Sequence, residues 1–169
     1  ALIREFPEYY KWYSQRSFTY NNITQENRNG LLERDPTVDG IKTGHTDAAG
    51  YCLASSAVRN GMRLISVVMG TASPKAREDA SATLLGYGFN FFESRRFYTS
   101  GQKVGAVHVF KTGDPVPVVV HGDVGSTAPR GELSDLKAQL IPDPRLVAPI
   151  TANTPVGRLQ VSSAGKVVS

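Results

Sequence analysis

Lys42-Thr43-Gly44, followed by His45, is a run whose residue types could do chemistry together. A lysine ammonium can hold a carboxylate and ease proton transfers beside it, and a threonine hydroxyl can donate to the same carboxylate. Glycine, lacking a Cβ, lets an extended peptide come up against the strand edge and pair with it as one more strand. The main-chain N–H of the next residue, His45, can then stabilise an oxyanion developing on that peptide. By itself the tripeptide is weak evidence, because Lys111-Thr112-Gly113 is a second copy. That copy precedes Asp114-Pro115 and lies between two valine-rich runs, so it is expected to be a hairpin turn.

The elements that must position the first copy are legible around it. Thr37–Gly44 reads as a strand, joined by a turn at Asp47-Ala48-Ala49-Gly50 to the run Tyr51–Val58. Tyr51–Val58 and Arg63–Met69 flank Arg59-Asn60-Gly61-Met62, and Asn-Gly is the pair a type I′ hairpin turn prefers. Three strands in meander order are therefore expected. Ser73-Pro74 reads as an N-cap with proline in the first turn, with Glu78 and Asp79 placed early where the helix dipole favours anions. The helix should run to about Phe92 and lay Ala76, Ala80, Leu84, Tyr87 and Phe91 against the sheet.

The texture then changes. Residues 1–93 carry ten basic and ten acidic residues and residues 94–169 nine and five, so the whole net charge of +4 falls in the second segment. Twelve of the fifteen aromatics precede residue 94 and seven of the ten prolines follow it, which places a boundary near Ser94. The runs Val104–Phe110, Val116–Val120, Ala138–Ile141 and Val156–Val161, with turn signals between them, suggest a small all-β module, and Lys166-Val167-Val168 the start of another strand.

Composition excludes several classes. With 40% hydrophobic and 20% charged residues the 169-residue chain is an ordinary folded protein. No run approaches the length of a membrane-spanning helix. One cysteine excludes an internal disulfide, and His45, His108 and His121 show no metal-ligand spacing, so neither a metal site nor a cofactor is expected. Cys52 is read as a small core residue, His108 as the polar face of a strand, His121 as a turn residue, and Tyr9, Tyr10, Trp12 and Tyr13 as helix packing. Basic and aromatic residues do not interleave in any strand, so no nucleic-acid partner is expected. The basic second segment leaves two readings open: a surface that gathers anionic partners such as lipid headgroups or cell-wall polymers, or a merely soluble one.

Val38-Asp39-Gly40-Ile41-Lys42-Thr43-Gly44-His45-Thr46-Asp47-Ala48-Ala49-Gly50-Tyr51 resembles a strand of the low-molecular-mass penicillin-binding proteins that are D-alanyl-D-alanine carboxypeptidases. The likeness extends to Glu5–Tyr10, Phe18–Ile23, Asn27–Leu32, Met62–Ser66, Gly86–Phe92, Pro129-Arg130-Gly131 and Asp135–Ala138, nearly the whole chain. The fold class implied is α+β: the C-terminal part of a serine penicillin-binding/β-lactamase-like catalytic domain, antiparallel strands plus a C-terminal helix, in residues 1–93, then a small all-β sandwich-like domain in residues 94–169. The resemblance implies that Lys42, Thr43, Gly44 and His45 form a cleft wall, Lys42 and Thr43 near the substrate's terminal carboxylate and His45 lending an oxyanion-hole amide. Arg28 and Arg77 match family arginines associated with recognising that carboxylate.

One departure matters more than these matches. The family's nucleophilic Ser-x-x-Lys and its Ser-x-Asn-type element precede the Lys-Thr-Gly strand, and nothing upstream of Lys42 supplies either. The Ser-x-x-Lys spacing of Ser134-Asp135-Leu136-Lys137 lies downstream, in the β module, so Ser134 is not expected to be a nucleophile. Both ends of the chain look cut, and residues 1–93 alone would expose an apolar face meant for helices of a missing N-terminal portion. The leading expectation is a portion of a serine D,D-carboxypeptidase that trims the terminal D-alanine of peptidoglycan pentapeptides and is acylated by β-lactams, the isolated chain being inactive. The resemblance places the parent in the periplasm, attached to the cytoplasmic membrane by an amphipathic C-terminal helix absent from this chain. Two other readings stay open: a non-catalytic β-domain module that docks cell wall, membrane or protein, and a serine β-lactamase-like hydrolase.

Overall fold

The computed structural model describes residues 1–168, and the chain packs as two compact units, Ala1–Phe91 and Phe92–Ser169. The first unit opens with the short helices α1 (Leu2–Glu5) and α2 (Pro7–Tyr10) and a 3-10 turn, Lys11–Ser14. A hairpin of β1 (Ser17–Tyr20) and β2 (Ile23–Glu26), the four-residue α3 (Leu31–Arg34), three long strands and one long helix follow. The strands β3 (Val38–Thr46), β4 (Gly50–Arg59) and β5 (Met62–Thr71) form one antiparallel sheet in meander order, as the sequence led us to expect. At the β4–β5 turn Asn60 and Gly61 take φ of 50° and 78°, the left-handed pair that a type I′ turn requires.

The helix α4 (Pro74–Phe91) starts where its cap signal placed it: the Ser73 Oγ accepts the Ala76 N–H at 3.1 Å. Its buried face is not the predicted one. Arg77, Ser81, Leu85 and Phe89, spaced by four, are buried, whereas Leu84, Tyr87 and Phe91 of the expected stripe are at least half exposed. The physical reason is proximity. The helix rides so low on the sheet that a methyl at Gly88 would run into the Leu64 side chain, and Ser81 is wholly enclosed. Arg77 and Ser81 occupy half of that face beside Leu85 and Phe89, so apolar periodicity pointed to the other one. Leu31, Leu32, Leu53, Ala57, Leu85 and Phe89 are buried in this unit, with a buried Ser55–Ser66 hydroxyl pair at 2.7 Å bridging β4 and β5.

The aromatic run of the first helices divides. Tyr10 is buried, its hydroxyl donating to Asp39 Oδ1 at 2.8 Å, but Tyr9 and Trp12 stay on the surface. The β1–β2 hairpin carries Asn21 and Asn22 in the left-handed region at its turn, and all eight of its strand residues are exposed.

The second unit is all-β. It comprises β6 (Phe92–Tyr98), β7 (Lys103–Val107), β8 (Val116–Val119), β9 (Val124–Pro129), β10 (Leu136–Pro142), β11 (Gly157–Ser163) and β12 (Lys166–Val167). The pairings are β6 with β9, β7 with β8, and β10 with β11 and β12, all antiparallel. Val107, Val109 and Val118 make the centre of its core, and Val104, Val116, Leu140 and Val156 pack around them. His108 is exposed between buried Val107 and Val109, and His121 lies in the bend before Gly122 at φ 94°. Lys111-Thr112-Gly113 lies in the connection from β7 to β8, with Lys111 at φ 71°. The α+β class and the all-β second domain read from the sequence are what the molecule has.

Candidate functional site

The strand β3 is an edge of its sheet among the described residues, and its second half runs along a cavity of about 670 Å³. Arg28, Lys42, Thr43, Gly44, His45, Tyr51, Pro74 and Arg77 line it. Four segments of the first unit meet there: the loop before α3, the end of β3, the start of β4 and the first turn of α4. All six residues singled out in the sequence, Arg28, Lys42, Thr43, Gly44, His45 and Arg77, are thus brought to one cavity.

Each segment is fixed by local chemistry. Arg28 is exposed, but Asn27 and Asn29 hold its backbone from either side. Asn27 donates to the Gln15 carbonyl at 2.9 Å and accepts the Asn29 N–H at 3.0 Å, while buried Asn29 donates to the Gly40 carbonyl at 3.2 Å. At the other end of β3 the turn closes through Thr46, whose Oγ1 accepts the Ala49 N–H at 3.0 Å. Gly50 then enters β4 at φ 63°, and a Cβ there would stand 2.9 Å from the Thr71 carbonyl oxygen, so only glycine fits. The Thr71 hydroxyl donates to the Tyr51 carbonyl at 2.9 Å where the β4–β5 register shifts.

Arg77 is the hub. It is 5% exposed, and its Nη1 donates to the carbonyls of Gly44 (3.3 Å) and Cys52 (3.5 Å) while Nη2 donates to that of Arg28 (3.0 Å). One guanidinium therefore ties α4 to β3, to β4 and to the Arg28 loop. Its Nε is buried with no hydrogen-bond partner among the described residues. The guanidinium carbon lies 5.7 Å from the centroid of the Tyr51 ring, within cation–π range. Lys42 reaches back to donate to the Thr43 carbonyl at 2.7 Å.

The lining carries three cations and no carboxylate. A buried guanidinium is costly unless compensated. Here the compensation is three carbonyl dipoles and an aromatic face, with no anion among the lining residues. The acids next to Arg77 in sequence are engaged elsewhere: Glu78 and Asp79 pair with Arg34 at 3.5 and 2.8 Å, and Asp79 also with Lys75. Before the start of β3, Asp35 accepts from the Thr37 hydroxyl and N–H and from Arg59. Partial burial pushes its carboxyl up, but those hydrogen bonds and the Arg59 charge outweigh it and hold the group below the usual carboxylate range.

Two further residues stand differently. Cys52, expected in the core, is half-buried opposite Gly44, near the end of the ladder where the sheet no longer covers it. Ser134 lies in a bend before β10, in the second unit. The Ser-x-x-Lys spacing gathers both side chains on one face only in a helix, and Lys137 here is on an extended strand. Sequence reasoning missed Tyr51, Pro74 and the role of Asn29. The register of β3 against β4, with His45 opposite Tyr51, would have found the first.

Comparison with known proteins agrees with this architecture. Residues 1–73 match the family model described as D-alanyl-D-alanine carboxypeptidase, and residues 92–169 that of the penicillin-binding protein 5 C-terminal domain. The chain is 44% identical, over 99% of its length, to D-alanyl-D-alanine carboxypeptidase DacA of Escherichia coli (strain K12), of which it spans 42%. It is 42% identical to the DacA of Haemophilus influenzae, of which it spans 44%. The crystal structure of penicillin-binding protein 5 from Haemophilus influenzae superposes with a TM-score of 0.83 at 40% identity, covering 99% of this chain and 50% of that one. The class is that of the penicillin-binding proteins. Within it, the chain belongs to the D-alanyl-D-alanine carboxypeptidase family, and it spans less than half the length of these curated relatives.

Proposed function

We propose that this chain supplies one wall of the cleft of a serine-type D-alanyl-D-alanine carboxypeptidase. The parent protein removes the terminal D-alanine from peptidoglycan pentapeptides by acylation and deacylation of a serine, and β-lactams acylate the same serine. The observation that carries the reading is the cavity along the open edge of β3, lined by Arg28, Lys42 and Arg77 and by no acid. An extended peptide can pair with that edge, and a carboxylate at its end meets the cations. Arg28 is free to swing to the carboxylate. Arg77, mostly committed to main-chain carbonyls, contributes its charge and the unpartnered Nε from behind. Lys42 and Thr43 hold the same terminus, Gly44 gives the peptide room, and the His45 N–H faces the developing oxyanion.

In this reading residues 1–93 are part of the catalytic domain and residues 94–169 its β domain. The nucleophile comes from sequence outside these 169 residues. The match of residues 92–169 to the penicillin-binding protein 5 C-terminal domain favours a carboxypeptidase over a β-lactamase. Relatives that are bacterial penicillin-binding proteins support a periplasmic parent; in this reading a helix following the β domain holds it at the cytoplasmic membrane. None of the described helices is long and apolar enough to cross a membrane.

Mass spectrometry after incubation with a labelled penicillin tests the proposal. The full-length protein is expected to carry one adduct on a serine outside this chain and to release D-alanine from a pentapeptide, and residues 1–169 alone to carry none. An adduct on Ser134, or a full-length protein that takes up no penicillin and releases no D-alanine, overturns it.

A further inference from the structure

We propose that Tyr51 is a positioning residue of this site: its ring contacts both the His45 ring and the Arg77 guanidinium, and so sets the direction of the His45 main-chain N–H. The inference rests on the acyl-transfer reading given above, in which that N–H meets the oxyanion.

His45 is one residue from the end of an edge strand and its side chain is exposed, so the ladder alone holds it weakly. Directly across the ladder stands Tyr51, and the two rings lie with centroids 4.0 Å apart at an interplanar angle of 31°. The same tyrosine ring receives the Arg77 guanidinium, 5.7 Å from its centroid. Arg77 in turn donates to the Gly44 carbonyl. That carbonyl and the His45 N–H belong to one peptide unit, which is planar and trans, so the two groups point in opposite directions. Whatever fixes the Gly44 C=O toward Arg77 therefore aims the His45 N–H away from it. Tyr51 is the element common to both ends of this peptide unit, in contact with the His45 ring and within cation–π range of the guanidinium that grips Gly44.

Tyr51 is itself held firmly enough to act as a reference. Gly50 before it is confined to the left-handed region with no space for a Cβ, and the Tyr51 carbonyl accepts from Thr71. Both of the ring's contacts use its π face. Phenylalanine can reproduce them and an aliphatic side chain cannot.

The test uses the full-length protein and a fluorescent penicillin, with stopped-flow kinetics separating the initial non-covalent affinity from the acylation rate constant. Removing an oxyanion donor outright costs about a hundredfold or more, and misdirecting one costs less. Tyr51→Leu is expected to slow acylation by about tenfold, with initial affinity and thermal midpoint unchanged, and Tyr51→Phe to restore the wild-type rate. Tyr51→Met is a second variant without a ring, read the same way should the leucine protein not fold. A wild-type acylation rate in the variants without a ring overturns the inference. So does a loss of affinity and thermal stability in parallel with the rate, or a phenylalanine variant as slow as leucine. Failure of the unmodified protein to be acylated at all overturns the acyl-transfer reading beneath it.

Discussion

The two Lys-Thr-Gly copies compare two regions built by different means. Lys42-Thr43-Gly44 lies on an edge strand, and a cavity, two arginines and an aromatic ring converge on it. Lys111-Thr112-Gly113 lies in an exposed connection. There Thr112 spends its hydroxyl on the Val109 carbonyl at 2.8 Å, and a Cβ on Gly113 would meet nothing within 4 Å. The same contrast holds for charge. Residues 1–93, neutral in sum, concentrate three cations around one space, whereas residues 94–169, with all of the net charge, carry paired or outlying cations such as Arg96 with Asp123 and Arg145 with Asp143. The lesson is that net charge says little about where an anion binds, and arrangement says much.

The largest expected effect sets one copy against the other. In the full-length protein Lys42→Ala should slow acylation by a labelled penicillin by about a hundredfold or more. Lys111→Ala should leave the rate as it was. Equal losses from both would erase the distinction. Next comes the contrast between two arginines that donate to main-chain carbonyls. Arg77→Met removes a buried guanidinium that donates to three part-buried carbonyls and should cost about 2–4 kcal/mol in chemical denaturation. Arg95→Met, removing an exposed residue that donates to the Leu133 carbonyl, should cost much less.

The smallest effect concerns two carboxylates. Asp35 is held below its usual pKa by Thr37 and Arg59 despite partial burial, and Asp143 by Arg145, whose exposed guanidinium is screened by water. A folded-state pKa below the unfolded value gives stability that is present above the unfolded pKa, about 4, and lost as pH falls through the folded one. Asp35→Asn should therefore lower stability by about 1–2 kcal/mol at pH 7 and flatten its decline in acid. Asp143→Asn should leave urea midpoints unchanged at both pH 7 and pH 3.

What was legible in the sequence was local. The β4–β5 turn could be read because Asn60-Gly61 encodes its own backbone angles, and the start of α4 because Ser73 and Pro74 act within one turn. The face of α4 could not, since its contact side adds Arg77, Ser81 and Gly88, which no hydrophobic pattern counts, to Leu85 and Phe89. The strands β6 and β9 escaped for another reason. Ser94 pairs with Thr127, and a ladder between residues so far apart in a charged, non-alternating run leaves no short-range mark. At the site, the chemistry of β3 was legible in residue types, while Tyr51 required the strand register and Asn29 the fold of a loop.

The close seat of α4 on the sheet has a consequence for mutation. Ser81 and Gly88 act as a height gauge. How far the helix stands off the strands decides how far the Arg77 side chain must stretch to reach the carbonyls of Gly44, Cys52 and Arg28. A larger residue at either position need not touch the cavity to alter it, because lifting the helix shortens the reach of its first turn. The site's sensitivity to substitution thus extends along one helix face to residues that never meet a ligand.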